Sequence, residues 1–341
     1  MSFVAEKRLT SVHGSLASAA MATQVDVGTE LDSYRKELTA YCYRMLASPF
    51  EAEDAVQETM VRAWRSFDRF EGRSALRTWL YSIATNVCLD LLGGKERRVL
   101  PMDLGPAQTA AAPVGRTLPE ATWIQPIPDG RVSSSEDDPA EVALRRETIR
   151  LAFIAALQHL PPAQRAVLIL REVLRWKASE VGELLGTSVA SVNSSLQRAR
   201  STLATGDLGA ADAAPELGEE ENALLARYLD AFQRYDMESL TKLIHEDATQ
   251  SMPPYELWLS GRQDILGWWF GTGAGCRGSR LIPTVANGSP AFGQYRPTPD
   301  GSFEPWSLQV LELSGGRIVG FTFFLGTDTL FPLFGLPDHP G

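Results

Sequence analysis

Residues 178–203 constrain the chain most. Val181, Leu184 and Leu185 give one short helix an apolar face, and Gly186 supplies a tight turn. Thr187 or Ser188 can cap a second helix, which Val189, Val192 and Leu196 pack back onto the first. The opposite face carries Ser191, Asn193, Ser194, Ser195 and Gln197, with Arg198 and Arg200 towards its end. Short polar side chains at the start of such a helix can reach base edges in a DNA major groove, and later arginines can hold phosphates. Helical hairpins of this spacing also occur in bundles that bind no nucleic acid, so the pattern alone leaves both readings open.

A length of 341 residues predicts two or three domains, and 44% hydrophobic with 22% charged residues is ordinary globular composition. Residues 1–30 read as a flexible extension too polar for a signal peptide, and no apolar run is long enough to cross a membrane, which predicts a cytoplasmic protein. Met21 is a possible alternative start. The three cysteines lie far apart, which excludes a disulfide framework and a zinc finger. Residues 31–98 read as three helices. The first carries Leu38, Cys42, Met45 and Leu46, and the second carries Ala55, Val56, Met60, Ala63, Trp64 and Phe67 beyond Ser48-Pro49. The third runs from about Ser74 to Leu92. Residues 99–140 are a Pro-rich acidic linker with one apolar island, Trp123 to Gly130, that should dock on something. Residues 141–204 are helical again, with a turn at Pro161-Pro162, and 205–219 form a second linker. In residues 220–341 an amphipathic helix (Leu224, Leu225, Tyr228, Leu229, Phe232) gives way to period-two alternation around Gly315-Gly316, which predicts a β-hairpin. The fold class is multidomain: two all-α units followed by an α+β domain.

The net charge of −10 is unevenly distributed. Both helical blocks are mildly basic, the linker between them is acidic, and the C-terminal domain is strongly acidic. Basic blocks attract nucleic acid through phosphate neutralisation, and an acidic domain on the same chain can compete for them.

Taken together, the two helical blocks resemble a family. Glu53-Asp54-Ala55-Val56-Gln57-Glu58-Thr59 with Arg62-Ala63-Trp64 is similar to the core-binding signature of bacterial sigma factors. Arg77 to Val87 resembles the promoter-melting helix of the extracytoplasmic-function group. Leu160-Pro161-Pro162-Ala163-Gln164-Arg165 with the helix-turn-helix resembles sigma region 4. The likeness covers residues 33–204. It implies that Asp54, Ala55, Val56, Gln57 and Glu58 meet the β′ clamp helices of core RNA polymerase, with the β flap as a further contact. Trp79, Tyr81 and Asn86 would face the melted −10 element, with a core position the alternative for Trp79, and Arg62, Arg73 and Arg77 the strand backbone. Lys177, Ser188, Ser191, Asn193, Ser194, Gln197, Arg198 and Arg200 would read the −35 element. Asn193 and Ser195 depart from the Lys and Arg common in related recognition helices, which implies weaker phosphate contact or a different base readout.

Residues 220–341 resemble SnoaL-like domains, a cone of helices and curved sheet, through Leu225–Phe232, Leu243–Pro254, Gly261–Trp269 and Ser307–Phe324. In that fold a hydrophobic pocket opens at one end. Trp258, Trp268, Trp269, Phe292, Trp306 and Phe323 are candidates to line it, and Trp123 is a candidate for docking. His245, Glu246 and Asp247 are placed near a helix end, with no second histidine nearby to make a tuned pair, so catalysis is not expected. No cofactor or metal is implied. One reading makes the C-terminal domain a regulator acting on the sigma blocks by intramolecular contact. The other makes it a ligand-binding or enzymatic module fused to a sigma core.

Overall fold

The computed structural model describes residues 28–70, 72, 75–133, 146–205 and 218–340; Arg73 and Ser74 therefore lie outside the described residues. Helices α1 (Arg35–Leu46), α2 (Pro49–Ser66) and α3 (Leu76–Leu92) form the first unit. Ala47 turns the chain in the left-handed region (φ 56°). Ser48 caps α2, its hydroxyl accepting from the Glu51 amide at 3.4 Å, with Pro49 at the first helical position. Leu38, Tyr41, Cys42, Met45, Leu80, Ala84 and Cys88 are buried between the helices.

The second unit contains α4 (Leu151–Gln158), α5 (Pro162–Leu168), α6 (Ala178–Leu184) and α7 (Val189–Thr205). Helix α5 continues into a π-turn over Ile169–Val173. Gly186 takes φ +61° at the turn, and Ser188 is the cap, accepting from the Ser191 amide at 3.2 Å. Gly182 allows the close approach of the two helices, because a Cβ there would lie 2.8 Å from the Thr187 carbonyl oxygen.

The third unit begins with α8 (Glu219–Arg234) and α9 (Met237–Leu243). Strands β1 (Ile244–Ser251), β2 (Trp258–Ser260), β3 (Arg280–Ala286), β4 (Ser289–Pro297), β5 (Phe303–Ser314) and β6 (Arg317–Phe324) form one six-stranded sheet in the order β2-β1-β6-β5-β4-β3. Only the β1–β6 pairing is parallel. Helix α10 (Arg262–Phe270) packs near β1 and α11 (Thr327–Leu333) against β5. The hairpin at Gly315-Gly316 forms as the alternation predicts. His245, Glu246 and Asp247 follow the end of α9 at Leu243, as expected, and lie on β1.

The sheet is sandwiched. Around Tyr228, Phe232, Ile265, Trp269 and Phe321, one apolar cluster fills the C-terminal domain itself. The other cluster runs from the helical units through Ile124 and Ile127 to Ala286, Tyr295, Leu308, Phe324 and Phe331. The linker is part of this core rather than a loose tether: the Gln125 amide donates to the Ala47 carbonyl at 3.0 Å, and Arg98 donates to the Trp123 carbonyl at 2.8 Å.

Candidate polymerase and nucleic-acid interface

Helix α2 separates into two faces. Ala55 and Val56 are buried against the neighbouring helices and serve the core, which corrects their assignment to a polymerase-facing set. Asp54, Gln57 and Glu58 are exposed. Val61 (36% exposed) and Trp64 (45% exposed) share their side of the helix, adding apolar surface to a charged rim. Trp64 was expected in the core stripe; its helical position relative to Asp54, Gln57 and Val61 is the signal that it belongs outside. Glu51 lies below this face. Burial raises its carboxyl, but hydrogen bonds and ion pairs with Lys95 (2.9 Å) and Arg98 (3.1 Å) outweigh that and hold it below the usual range. Arg62 is ion-paired with Glu58 at 2.7 Å and Asp90 at 3.6 Å.

Helix α3 carries the residues expected at the melted strand, but most of them are covered. Tyr81 is fully buried between the tilted rings of Tyr41 (5.1 Å between centroids) and Trp176 (5.0 Å), and burial pushes its phenol up. It offers no stacking surface to DNA in this arrangement. Arg77 lies over the rings of both Tyr81 and Trp176, at 5.3 and 5.4 Å, and pairs with Glu37 at 3.0 Å. Trp79 is half-buried against Phe67 and Phe70. Asn86 is exposed. Trp176, which the sequence reading did not single out, is thus the lid over this surface. Its lone aromatic ring between Arg175 and Lys177 was the available signal.

The helix-turn-helix presents its polar face openly. Lys177, Ser188, Ser191, Asn193, Ser194, Gln197, Arg198 and Arg200 are all exposed. Arg198 is oriented by the Ser194 and Ser195 hydroxyls, each at 3.1 Å, and Arg200 by Glu172 at 2.6 Å.

The turn between β3 and β4 joins all three units. Asn287 is fully buried with φ 55°, and Gly288 follows with φ +67°. Two successive left-handed residues make the tight hairpin for which Asn-Gly is suited. The Asn287 amide nitrogen donates to the Tyr43 hydroxyl of α1 at 2.7 Å and to the Ile149 carbonyl at 2.6 Å, just before α4. Its oxygen accepts from the Ile127 amide of the linker at 2.9 Å. The Tyr43 hydroxyl in turn donates to the Gln125 carbonyl at 2.8 Å. The Gly288 amide donates to Asp129 at 2.8 Å, and a Cβ on Gly288 would lie 2.7 Å from the Arg146 carbonyl oxygen. Burial raises the Asp129 carboxyl, opposed by the Gly288 amide and the Arg146 charge.

The candidate aromatics divide. Trp268, Trp269, Trp306 and Phe323 line a cavity of about 210 Å³ in the C-terminal domain. Trp258 does not line it; its indole donates to the Gly105 carbonyl of the linker at 2.8 Å. Phe292 sits in the core beside Tyr228. Trp123 is buried and does not line the cavity. Among the described residues no cluster of metal-ligating side chains occurs, and no helix is long and apolar enough to cross a membrane.

Two helical units in this order, one with an exposed charged helix face and one with an open recognition helix, are the parts of a transcription initiation factor. Family models agree: Sigma-70 region 2 matches residues 31–98 and Sigma-70 region 4 matches residues 150–203. The chain is 47% identical over 323 residues to the ECF RNA polymerase sigma factor SigG of Mycobacterium tuberculosis, covering 92% of this chain and 84% of that protein. It is 31% identical to SigW of Bacillus subtilis, over 51% of this chain and 84% of that one. The crystal structure of Mycobacterium tuberculosis SigJ has the same fold, with a TM-score of 0.59 at 20% identity, over 91% of this chain and 99% of that chain. The chain belongs to the extracytoplasmic-function (ECF) family of RNA polymerase sigma factors.

Proposed function

We propose that this sigma factor is held in a closed, unproductive arrangement by its own C-terminal domain, and that core RNA polymerase and promoter engage it first through the surfaces left open, the α2 face and the recognition helix. Asp54, Gln57, Glu58, Val61 and Trp64 dock on the β′ clamp helices, region 4 adds the β flap, and the exposed face of α7 reads the −35 element. Arg77, Trp79 and Asn86 meet the −10 strand after region 4 has moved off α3, and Tyr81 joins them only if that movement frees its ring. The protein works in the cytoplasm, where polymerase and promoters are. The observation that carries the reading is the burial of Tyr81 beneath Trp176 while Asn287 ties α1, the linker and the segment before α4 to one hairpin. A restraining rather than catalytic role for the C-terminal domain is supported by His245 and Asp247, which lie on β1 outside the cavity lining. The test is in-vitro transcription with purified core polymerase on promoter-selected templates. Trp176→Ala should raise transcript yield over the full-length wild-type chain. A chain that directs no initiation in either form, or a Trp176→Ala variant that folds normally yet gives less transcript, would overturn the proposal.

A further inference from the structure

We infer that Val189, Asn193 and Gln197 set the bases this sigma factor selects upstream, with Asn193 and Gln197 each reading an adenine and Val189 a thymine methyl. The inference rests on the reading that α7 meets the −35 element, and it names the base edges that helix takes. The three side chains stand four residues apart along one ridge of α7. All three are exposed, while Val192, Leu196 and Ala199 turn to the core. The sequence pattern places Val189 against the first helix, but its side chain is 45% exposed. At roughly 1.5 Å per residue the ridge is about 12 Å long, the length of about three to four base-pair steps.

The chemistry of the ridge argues against a guanine code. Guanine shows two acceptors in the major groove, N7 and O6, and its commonest partner is a bidentate Arg or Lys. Residues 189–197, the first half of α7, carry no charged side chain. Charge begins at Arg198, which the Ser194 and Ser195 hydroxyls bracket at 3.1 Å each, and at Arg200, which Glu172 holds at 2.6 Å. These two suit the phosphates beside the groove.

The Asn193 and Gln197 amides have no hydrogen-bond partner among the described residues. Each amide sets an acceptor oxygen beside a donor nitrogen. Adenine matches both: its N6–H donates to the side-chain oxygen and its N7 accepts from the side-chain nitrogen. On guanine the amide oxygen meets only acceptors, and cytosine offers only its N4–H. Val189 presents methyl groups alone, and the apolar group of the major groove is the thymine C5-methyl. The Ser191 and Ser194 hydroxyls can donate and accept, so they suit several bases and discriminate little.

The test uses core RNA polymerase loaded with the full chain and a promoter library randomised through the upstream element, with the bound DNA sequenced. The wild-type holoenzyme should select adenine at two positions and thymine at a third. Asn193→Ala should level the preference at one adenine and Gln197→Ala at the other, each by at least about fivefold, the lower value of one bidentate base contact. Modified bases identify the atoms. 7-Deazaadenine, which lacks the N7 acceptor, should weaken wild-type binding at each adenine and have no further effect in the matching variant. Uracil in place of thymine, which lacks the methyl, should weaken the wild type and leave Val189→Ser unchanged. Guanine selected at the positions that Asn193→Ala and Gln197→Ala shift, or a 7-deazaadenine effect that survives both variants, would overturn the base assignment while keeping α7 as the reader of the element. No upstream preference in the wild type, or one that none of the variants moves, would overturn that reading as well. The wild-type selection and its response to 7-deazaadenine are decisive without any variant.

Discussion

Replacing Asn287 with Gly should release the β3–β4 hairpin from the helical units. Glycine keeps the left-handed backbone that Asn287 adopts at φ 55°, so the change removes side-chain hydrogen bonds without adding strain. Three bonds are lost: to the Tyr43 hydroxyl, to the Ile149 carbonyl and from the Ile127 amide. At about 1 kcal/mol net for each buried hydrogen bond, the loss is about 3 kcal/mol, or about a hundredfold in the opening equilibrium. Hydrogen exchange followed by mass spectrometry reads that equilibrium directly. Peptides containing Ile127 and residues 284–291 should lose about a hundredfold in protection. Peptides from the Tyr228–Phe232 core of the C-terminal domain should be unchanged. Protection within threefold of wild type at Ile127 would refute the argument that Asn287 is the clasp. Uniform loss across the chain would show instead a general folding defect.

Other expectations follow from the same geometry. The Asp129 carboxyl is raised by burial, so its contribution to stability is fully present below the ordinary aspartate range and is lost as pH rises through the raised value. Asp129→Asn keeps an acceptor for the Gly288 amide and should flatten that dependence above pH 4, leaving stability at pH 7 equal or higher in a urea titration. Reversing Asp54 and Glu58 to Lys should weaken capture by core polymerase by at least about tenfold, with little change in thermal midpoint because both are exposed. Arg198→Ala should lower promoter affinity similarly across sequences and reduce the slope of log affinity against log salt by about 1; an unchanged slope would remove Arg198 from the phosphate contacts.

The helical units were legible because their signals are local. Apolar spacing gives α1 and α2, Ser48-Pro49 gives the start of α2, and Gly186 with Ser188 gives the turn of the helix-turn-helix. The strand alternation around Gly315-Gly316 likewise gives β5 and β6. What the sequence concealed is long-range. Asn287-Gly288 reads as a hairpin turn, but its bonds to Tyr43 and Ile149 span 244 and 138 positions. Trp176 covers Tyr81 from another unit, so no pattern along α3 reveals that the expected DNA-stacking ring is buried. Ala55 and Val56 sit within a motif whose exposed members are Asp54, Gln57 and Glu58, and only the helix's rotation against α1 separates the two sets. The Trp123 island reads as a segment that docks, but nothing in its pattern names the sites: Trp123 pairs with Val99, Gln125 with Ala47, and Ile127 and Asp129 with the Asn287-Gly288 turn.

The most direct test of the restraint is transcript yield from a single promoter with core polymerase, comparing the full-length wild-type chain with Asn287→Gly at matched concentrations. Release of the hairpin should raise yield, with the Asp54 and Glu58 reversals inactive in the same assay. Equal or lower yield from a variant whose hydrogen exchange proves the hairpin open would contradict the claim that the clasp restrains initiation.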